Sequence, residues 1–514
     1  MKNVVPFAAA VMLAATMIQP TSAQSPTELV QQAVAAQGGA DALRGLKTLV
    51  IKGEAKHWEP GQSVRAGGEA RFIGDSAFTV SADIPNQVIR VDWDRDMKYV
   101  AVERLQFSEI VHRTYGIVLE GKDVKPMSGI RLAAQHREYM RGSPFLLLRA
   151  LDNPQAVSAI VDQRLGEVAH PAIAFNAGNT RYIVLFDRTS KLPVAVRTRD
   201  DDHIYGDSDY DVVLGDWKSV GGAQLAHSLS FRLGGRETQR LTYKEVTANP
   251  AIAAATFEVP EKFRTAALAS ASADVPYQWV LRRMFLGRFL DSDAVYFPPG
   301  GGFKLVELAP NVQHVVGGSA NNLIVNMKDG IVVFDAPVNE GQSRWVIDAA
   351  KAKYPGKRIT HLVLTHHHMD HTGGMRAYVA EGATVIVPAP TKAYFEEVVR
   401  APHAVAPDAL QKQTRAATIL DVKETMTLKD DTMQINLYNI PNPHSEGMLI
   451  GHVVGANVVW VTDLISPRGP IARNAATVAV GDALRKHNIT NATIAGGHGT
   501  TAKQAETQAA LAAN

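Results

Sequence analysis

The chain has 514 residues, 46% of them hydrophobic and 20% charged, which is an ordinary globular composition with room for two or more cores. A formal net charge of +2 gives no electrostatic case for a nucleic-acid partner. There is no cysteine, which excludes disulfides, thiolate metal ligands and every cysteine nucleophile.

Residues 1–23 read as a secretory signal. Lys2, the apolar stretch from Val4 to Ile18 and Pro20-Thr21-Ser22-Ala23 before Gln24 predict cleavage after Ala23. About fifteen apolar residues are short for a bilayer span, and no later stretch is long and apolar enough for one. The expectation is a periplasmic or secreted protein without a membrane span.

Residues 24–264 read as a first domain. Ser25-Pro26-Thr27-Glu28 is a capping box with proline at the first helical position, and Gly38-Gly39 ends that helix. From Leu46 to about Pro260 short alternating runs follow: Thr48–Ile51, Val88–Trp93, Arg181–Phe186, Pro193–Val196 and Leu225–Phe231. Turn signals such as Asp187-Arg188-Thr189-Ser190 and Gly221-Gly222 separate them, which predicts an antiparallel sheet. The order of helix and strands, with the closing Ala254–Pro260, is similar to the half-barrel of periplasmic lipoprotein carriers. That resemblance implies a concave apolar face; a scaffold that orients or dimerises the enzyme fits the same residues.

Residues 265–302 read as linker and connector. Ala266–Ala273 is a run of small residues, Tyr277–Leu290 is a helical connector, and Pro298-Pro299-Gly300-Gly301-Gly302 breaks it. Arg282, Arg283 and Arg288 read as a solvated face.

Residues 303–514 carry the chemistry. Ile359–Leu364 reads as a buried strand, and Thr372-Gly373-Gly374 with Met375–Val379 as a turn opening a helix. Between them, Thr365-His366-His367-His368-Met369-Asp370-His371 packs imidazoles and a carboxylate into one loop at the carboxyl edge of a sheet. His366 and His368 are two apart and face the same way; Asp370 and His371 turn toward a second point. Zinc takes imidazole and carboxylate ligands and keeps a position open for water, so the spacing suits two adjacent metals.

This pattern resembles the H-x-H-x-D-H signature of the metallo-β-lactamase superfamily, and the resemblance runs from about Leu305 to about Ala502. Asn322–Asn326, Asp329-Gly330 and Ile331–Asp335 look like that family's opening hairpin, with Asp-Gly as a two-residue turn. Ala336-Pro337-Val338-Asn339 follows where relatives commonly show Thr-Gly. Pro441–Gly447 looks like the loop of the third histidine, Val458–Asp463 like the strand ending in a bridging aspartate, and Gly496-Gly497-His498-Gly499 like the last ligand loop. Thr462 stands where glycine is usual. The resemblance implies an αββα sandwich in which His366, His368 and His444 take one metal, Asp370, His371 and His498 the other, and Asp463 lies between them. His367 points away from the metals by strand alternation. His361, His452 and His487 have no comparable partners, and His403, in the loop Ala401–Pro407, is a candidate to overhang the site.

The expected function is an exported hydrolase with two Zn2+ per chain, iron or manganese being able to occupy the same ligands. A metal-activated hydroxide, positioned by Asp370, would attack an ester, lactone or amide bond of a small-molecule substrate. A β-lactamase and an iron-dependent sulfur oxidase or dioxygenase of the same fold are the alternatives, and a third is a binding protein with a vestigial metal site.

Overall fold

The computed structural model describes residues 25–264, 278, 280, 282, 302–318, 320–413 and 415–512. The expected signal and most of the expected linker lie outside the described residues. No helix among the described residues is long and apolar enough to cross a membrane.

The capping box forms as expected. Glu28 N–H donates to Ser25 Oγ and Ser25 N–H to Glu28 Oε2, opening the helix Pro26–Ala36, and Gly38 and Gly39, both at positive φ, end it. The five predicted strands fall in one antiparallel sheet of 13 strands, together with others that the sequence reading did not name. Its first strand, Thr48–Glu59, pairs with Arg71–Asp83 on one side and with Arg236–Ala248 on the other, so it lies in the interior of the sheet. Alternation along this strand is plain. Lys52, Glu54 and Lys56 are exposed while Gly53, Ala55, His57 and Glu59 are buried. Ala254–Phe257, in the closing segment, is a single 3-10 turn.

The C-terminal half is an αββα sandwich. Four antiparallel strands, Lys304–Ala309, Val312–Val316, Asn322–Asn326 and Ile331–Phe334, continue into three parallel ones, Ile359–Val363, Thr384–Pro388 and Ile419–Val422. A second sheet of six strands runs from Thr425–Lys429 to Thr501–Lys503. In Ile331-Val332-Val333-Phe334 the whole strand is buried, but its side chains divide by parity. Val332 and Phe334 pack with Trp460 between the sheets, whereas Val333 packs with Val346 and Ile347 of the helix Glu340–Lys353. The other sheet repeats the division: Val458 and Trp460 face inward, and Val459 and Val461 meet Val480 and Leu484 of the helix Ala475–Lys486. Two apolar faces per strand are what put helices on both outer surfaces.

Three local expectations change. In the opening hairpin the last strand pair is Asn326 with Ile331, and Met327 N–H donates to Gly330 O, so the two residues at the tip are Lys328 and Asp329 rather than Asp329 and Gly330. The side chain of Asp430 holds that loop by accepting from Lys328 N–H at 2.6 Å. Arg282 is buried rather than solvated: its guanidinium donates to Glu59 Oε2 at 2.9 Å and to Asp202 Oδ2 at 2.8 Å, since both carboxylates are buried and need a cation. Arg283 and Arg288 lie outside the described residues. His403 does not overhang the metal loop; it is buried with Nδ1 2.8 Å from Asp201 Oδ1 of the first half. The neighbouring Ala404 and Val405 N–H groups donate to Asp207, so this loop fastens the two halves together.

Candidate metal centre

The strand Ile359–Val363 ends in the predicted loop, which closes through the one-turn helix Met369–Thr372. His366, His368, His444 and Asp463 form one group of potential ligand atoms, all within 4.8 Å of one another, and Asp370, His371 and His498 form another. The carboxylate of Asp463 reaches both. Its Oδ2 lies 3.0 Å from His366 Nε2, 3.1 Å from His444 Nε2 and 3.3 Å from His371 Nε2, and its Oδ1 lies 2.9 Å from His498 Nε2. All seven predicted residues therefore converge. His361, His403, His452 and His487 belong to neither group.

These contacts fit a cation better than they fit hydrogen bonds. His366 Nε2 is fully buried and has no hydrogen-bond partner, although a carboxylate oxygen is only 3.0 Å away. His444 Nε2 and His368 Nδ1 are 2.8 Å apart, as are two donors turned toward a common point. The donor set is imidazole and carboxylate without sulfur, which suits zinc and equally iron or manganese.

Electrostatics separate the two groups. Burial pushes His366 down to about 4 and holds His368 well below the ordinary imidazole range, so both present neutral rings, the form that binds metal. Burial acts in the same direction on His371 and His498, but the carboxylates of Asp463 and Asp370 outweigh it, lifting His371 well above the usual range and His498 to about 9. For Asp463 and Asp370 burial pushes upward, and neighbouring imidazoles, His371 foremost, hold both well below it. Two buried carboxylates thus draw positive charge toward the second group, which is what a divalent cation supplies.

Residues that touch no ligand position orient those that do. Asp335, fully buried, accepts from Thr365 N–H at 2.9 Å and Thr365 Oγ1 at 2.8 Å through one oxygen. The other oxygen accepts from Trp460 Nε1 at 3.2 Å and lies 3.3 Å from His371 Nδ1, leaving His371 Nε2 to face Asp463. Because the Thr365 hydroxyl spends its proton on Asp335, it accepts from His366 Nδ1 at 3.2 Å, which leaves that ring's Nε2 as the free nitrogen. Asp335 and Asp463 both sit at positive φ, 60° and 54°, the kind of backbone strain that clusters at functional sites. Thr462 has a reason of its own to replace glycine: its hydroxyl lies 3.2 Å from His371 Nε2, and the space it fills is left by Gly497, where a Cβ would come within 2.2 Å of Thr462 Oγ1.

The first half completes the centre, and nothing in the motif foretold it. The 3-10 turn Pro60–Gln62 packs against the one-turn helix so closely that a Cβ on Gly61 would meet Met369 Sδ at 2.6 Å. Gln62 Nε2 donates to Asp370 Oδ1 at 2.6 Å, and Tyr99 donates to Gln62 Oε1 at 2.7 Å. The carbonyl of Ser63 accepts from His368 Nε2 at 2.9 Å and from His367 Nε2 at 2.8 Å. His368 is thereby fixed with Nδ1 toward the ligand group, and His367 points away, as alternation predicts. Arg71 stacks over Tyr99 and donates to the carbonyl of His444 at 2.8 Å.

A family model described as the metallo-beta-lactamase superfamily matches residues 315–498, the stretch that holds all seven converging side chains. The C-terminal half is a metallo-β-lactamase domain. A linear primary-alkylsulfatase from a Pseudomonas species is 32% identical over 78 residues, which is 15% of this chain and only 12% of that protein. Among solved structures, a metallo-beta-lactamase from Pontibacter korlensis aligns with 41% of this chain and 97% of its own, at 14% identity and a TM-score of 0.31. A stereoselective inverting sec-alkylsulfatase from Pseudomonas aligns with 45% of this chain and 42% of its own, at 16% identity and a TM-score of 0.33. In this chain Gly61, Gln62, Ser63 and Arg71 of the first half contact the metallo-β-lactamase domain beside its ligand groups.

Proposed function

We propose that this protein is a hydrolase that uses two divalent cations, zinc in the first instance, to cleave an ester bond of a small molecule. The observation that carries the reading is the Asp463 carboxylate, within 3.3 Å of histidine nitrogens from both ligand groups. His366, His368 and His444 would hold one cation and Asp370, His371 and His498 the other, with Asp463 shared. Such cations supply Lewis acidity and bring the pKa of water close to neutral.

The side chains do the rest. Asp335, Thr365 and the Ser63 carbonyl hold the imidazole rings, so little reorganisation is needed when substrate arrives. Asp370 keeps one oxygen on the Gln62 amide, and its other oxygen, 3.6 Å from His498 Nε2, is the one that would share the second cation with His371 and His498 and orient a water beside it. The side chains of Asp370, Asp463, His444 and His498 keep 11–16% exposure whereas His366, His368 and His371 are closed off, so substrate approaches from that side.

A sulfate ester is the substrate class favoured by a specific observation, the local match to a linear primary-alkylsulfatase. Carboxylic esters and lactones remain in the panel, and β-lactams rank lower because the Tyr99–Gln62 layer roofs the site from a domain outside the lactamase fold. We also propose export, from the signal pattern of residues 1–23. The test is metal analysis with turnover on alkyl sulfates, esters, lactones and a chromogenic β-lactam, for the wild type and His366→Ala. Loss of both metal and turnover in the variant supports the proposal; full metal and an unchanged rate would refute it.

A further inference from the structure

The first half encloses a cavity of about 510 Å3, within the roughly 300–1,000 Å3 typical of small-molecule sites, and none of the seven metal-centre residues lines it. Its walls are the inward-facing side chains of the sheet, among them Ile51, Phe78, Val91, Trp93, Leu241 and Tyr243, and the helix Gly129–Arg141 lies along it with Tyr139.

The polar groups of the lining fall into two kinds. The buried carboxylates are already matched. Glu109 accepts from Trp93 Nε1 at 3.1 Å and from Gln135, with Arg131 3.7 Å away, and Glu59 is paired with Arg282. A molecule reaching these walls finds their charges already paired and, apart from the Tyr139 and Tyr243 hydroxyls, a mostly hydrocarbon surface, so its inner part is apolar. Arg113 and Arg149 are different. Both line the cavity, both are exposed, and neither has an ion-pair partner among the described residues. His136, which also lines the cavity, has its Nε2 buried without a partner. Of the other lining carboxylates, Asp83 is occupied by its own turn, accepting from Asn86 N–H and Nδ2, and Glu138 is paired with Arg141.

We propose that this cavity is a second binding site, for a single-chain amphiphile whose apolar chain lies against the sheet and whose anionic head meets Arg113 and Arg149. The site goes beyond the hydrolytic reading and stands without it, because binding here needs no metal.

The experiment is titration of the full-length mature protein by calorimetry and by fluorescence of Trp58 and Trp93, which line the cavity. Probes are decane-1-sulfonate, which has no hydrolysable ester, decanoate, and uncharged 1-decanol, all below micelle formation. Saturable binding of one molecule per chain is expected, tightening up to about fourfold for each added methylene. Arg113→Ala with Arg149→Ala weakens both anions about three- to tenfold and leaves 1-decanol unchanged. Ala82→Phe, which fills the rim of the cavity, and separately Ile51→Trp, deeper in, abolish all three; unchanged circular dichroism and metal content certify the fold. Absence of saturable binding overturns the proposal, as does undiminished binding in the filled variants. Binding lost in His366→Ala would move the ligand to the metal centre, and uptake only from phosphatidylglycerol vesicles would make it a membrane lipid; either outcome overturns the proposal as stated.

Discussion

Asp335→Asn isolates the role of a residue that binds no metal. The carboxylate has four contacts, and all four partners present hydrogens: Thr365 N–H and O–H on one oxygen, Trp460 N–H and His371 Nδ1 on the other. An asparagine of the same shape can serve only one of these sides, and whichever way its amide turns, an NH2 faces a buried N–H. Facing His371, the amide favours the tautomer with the proton on Nε2, the nitrogen that points at Asp463. Loss of such an orienting partner typically lowers metal affinity 10–100-fold, which is about 1.4–2.7 kcal/mol. The unmatched Trp460 indole adds about 1–3 kcal/mol to the loss of fold stability. The assay is cation competition against a calibrated chelator, with thermal unfolding of the metal-stripped protein measured separately to subtract the stability effect. The more weakly held cation should be lost first, since Asp335 touches His371 directly and His366 only through Thr365. Two cations retained at wild-type affinity in Asp335→Asn would refute the orienting role.

Other consequences follow from the same contacts. Gly497→Ala should destabilise the metallo-β-lactamase domain by about 1–3 kcal/mol through collision with Thr462, and Thr462→Gly in the same chain should restore most of it; denaturant unfolding of the single and double variants checks the pair, and additive effects would contradict it. Tyr99→Phe removes the donor to Gln62 and should lower turnover severalfold with cation content unchanged, whereas equal loss of cation would show that the first half acts through metal retention. Arg282→Gln strands Glu59 and Asp202 in the interior and should cost about 3–5 kcal/mol. In the wild type burial pushes Asp202 up, but Arg282 and backbone N–H groups outweigh it and hold the carboxyl below its usual value. That contribution is complete above the unfolded value of about 3.9 and fades as pH falls through the lower folded value. In the variant the Ile204 and Tyr205 N–H groups remain but the guanidinium is gone, so the folded value rises toward the unfolded one and less stability is lost on acidification; thermal midpoints between pH 3 and 6 (roughly the carboxylate range) should therefore fall less steeply in the variant than in the wild type, and parallel slopes would sink the argument.

How much of this was legible in the sequence depends on distance along the chain. His366, His368, Asp370 and His371 lie within six residues, so their spacing alone announced a metal loop. His444, Asp463 and His498 are each flanked by turn or strand-end residues in the expected order, and the fold brings them together. Gln62, Ser63 and Tyr99 could not be read in the same way. Gln62 and Ser63 act on residues 308 and 305 positions further along, Ser63 through a carbonyl that every residue possesses, and Tyr99 acts through Gln62. Asp335 was visible only as a strand end, because its importance lies in four contacts contributed by two other segments, the metal loop and the strand of Trp460. Arg282 looked solvated for a related reason: its partners, Glu59 and Asp202, are buried by a packing between halves that no local pattern encodes. Alternation located five strands of the first half, yet it missed others, Arg71–Asp83 and Arg236–Ala248 among them, and so could not say that the strand Thr48–Glu59 would be clasped between those two.

The central claim is that Asp463 stands between two cations. A crystal of the zinc-loaded protein, with anomalous difference maps at the metal edge, tests it directly. The account predicts two peaks about 3.5–4 Å apart, one against His366, His368 and His444 and the other against Asp370, His371 and His498, with the Asp463 carboxylate touching both. A single peak, or two that leave Asp463 unligated, would contradict it.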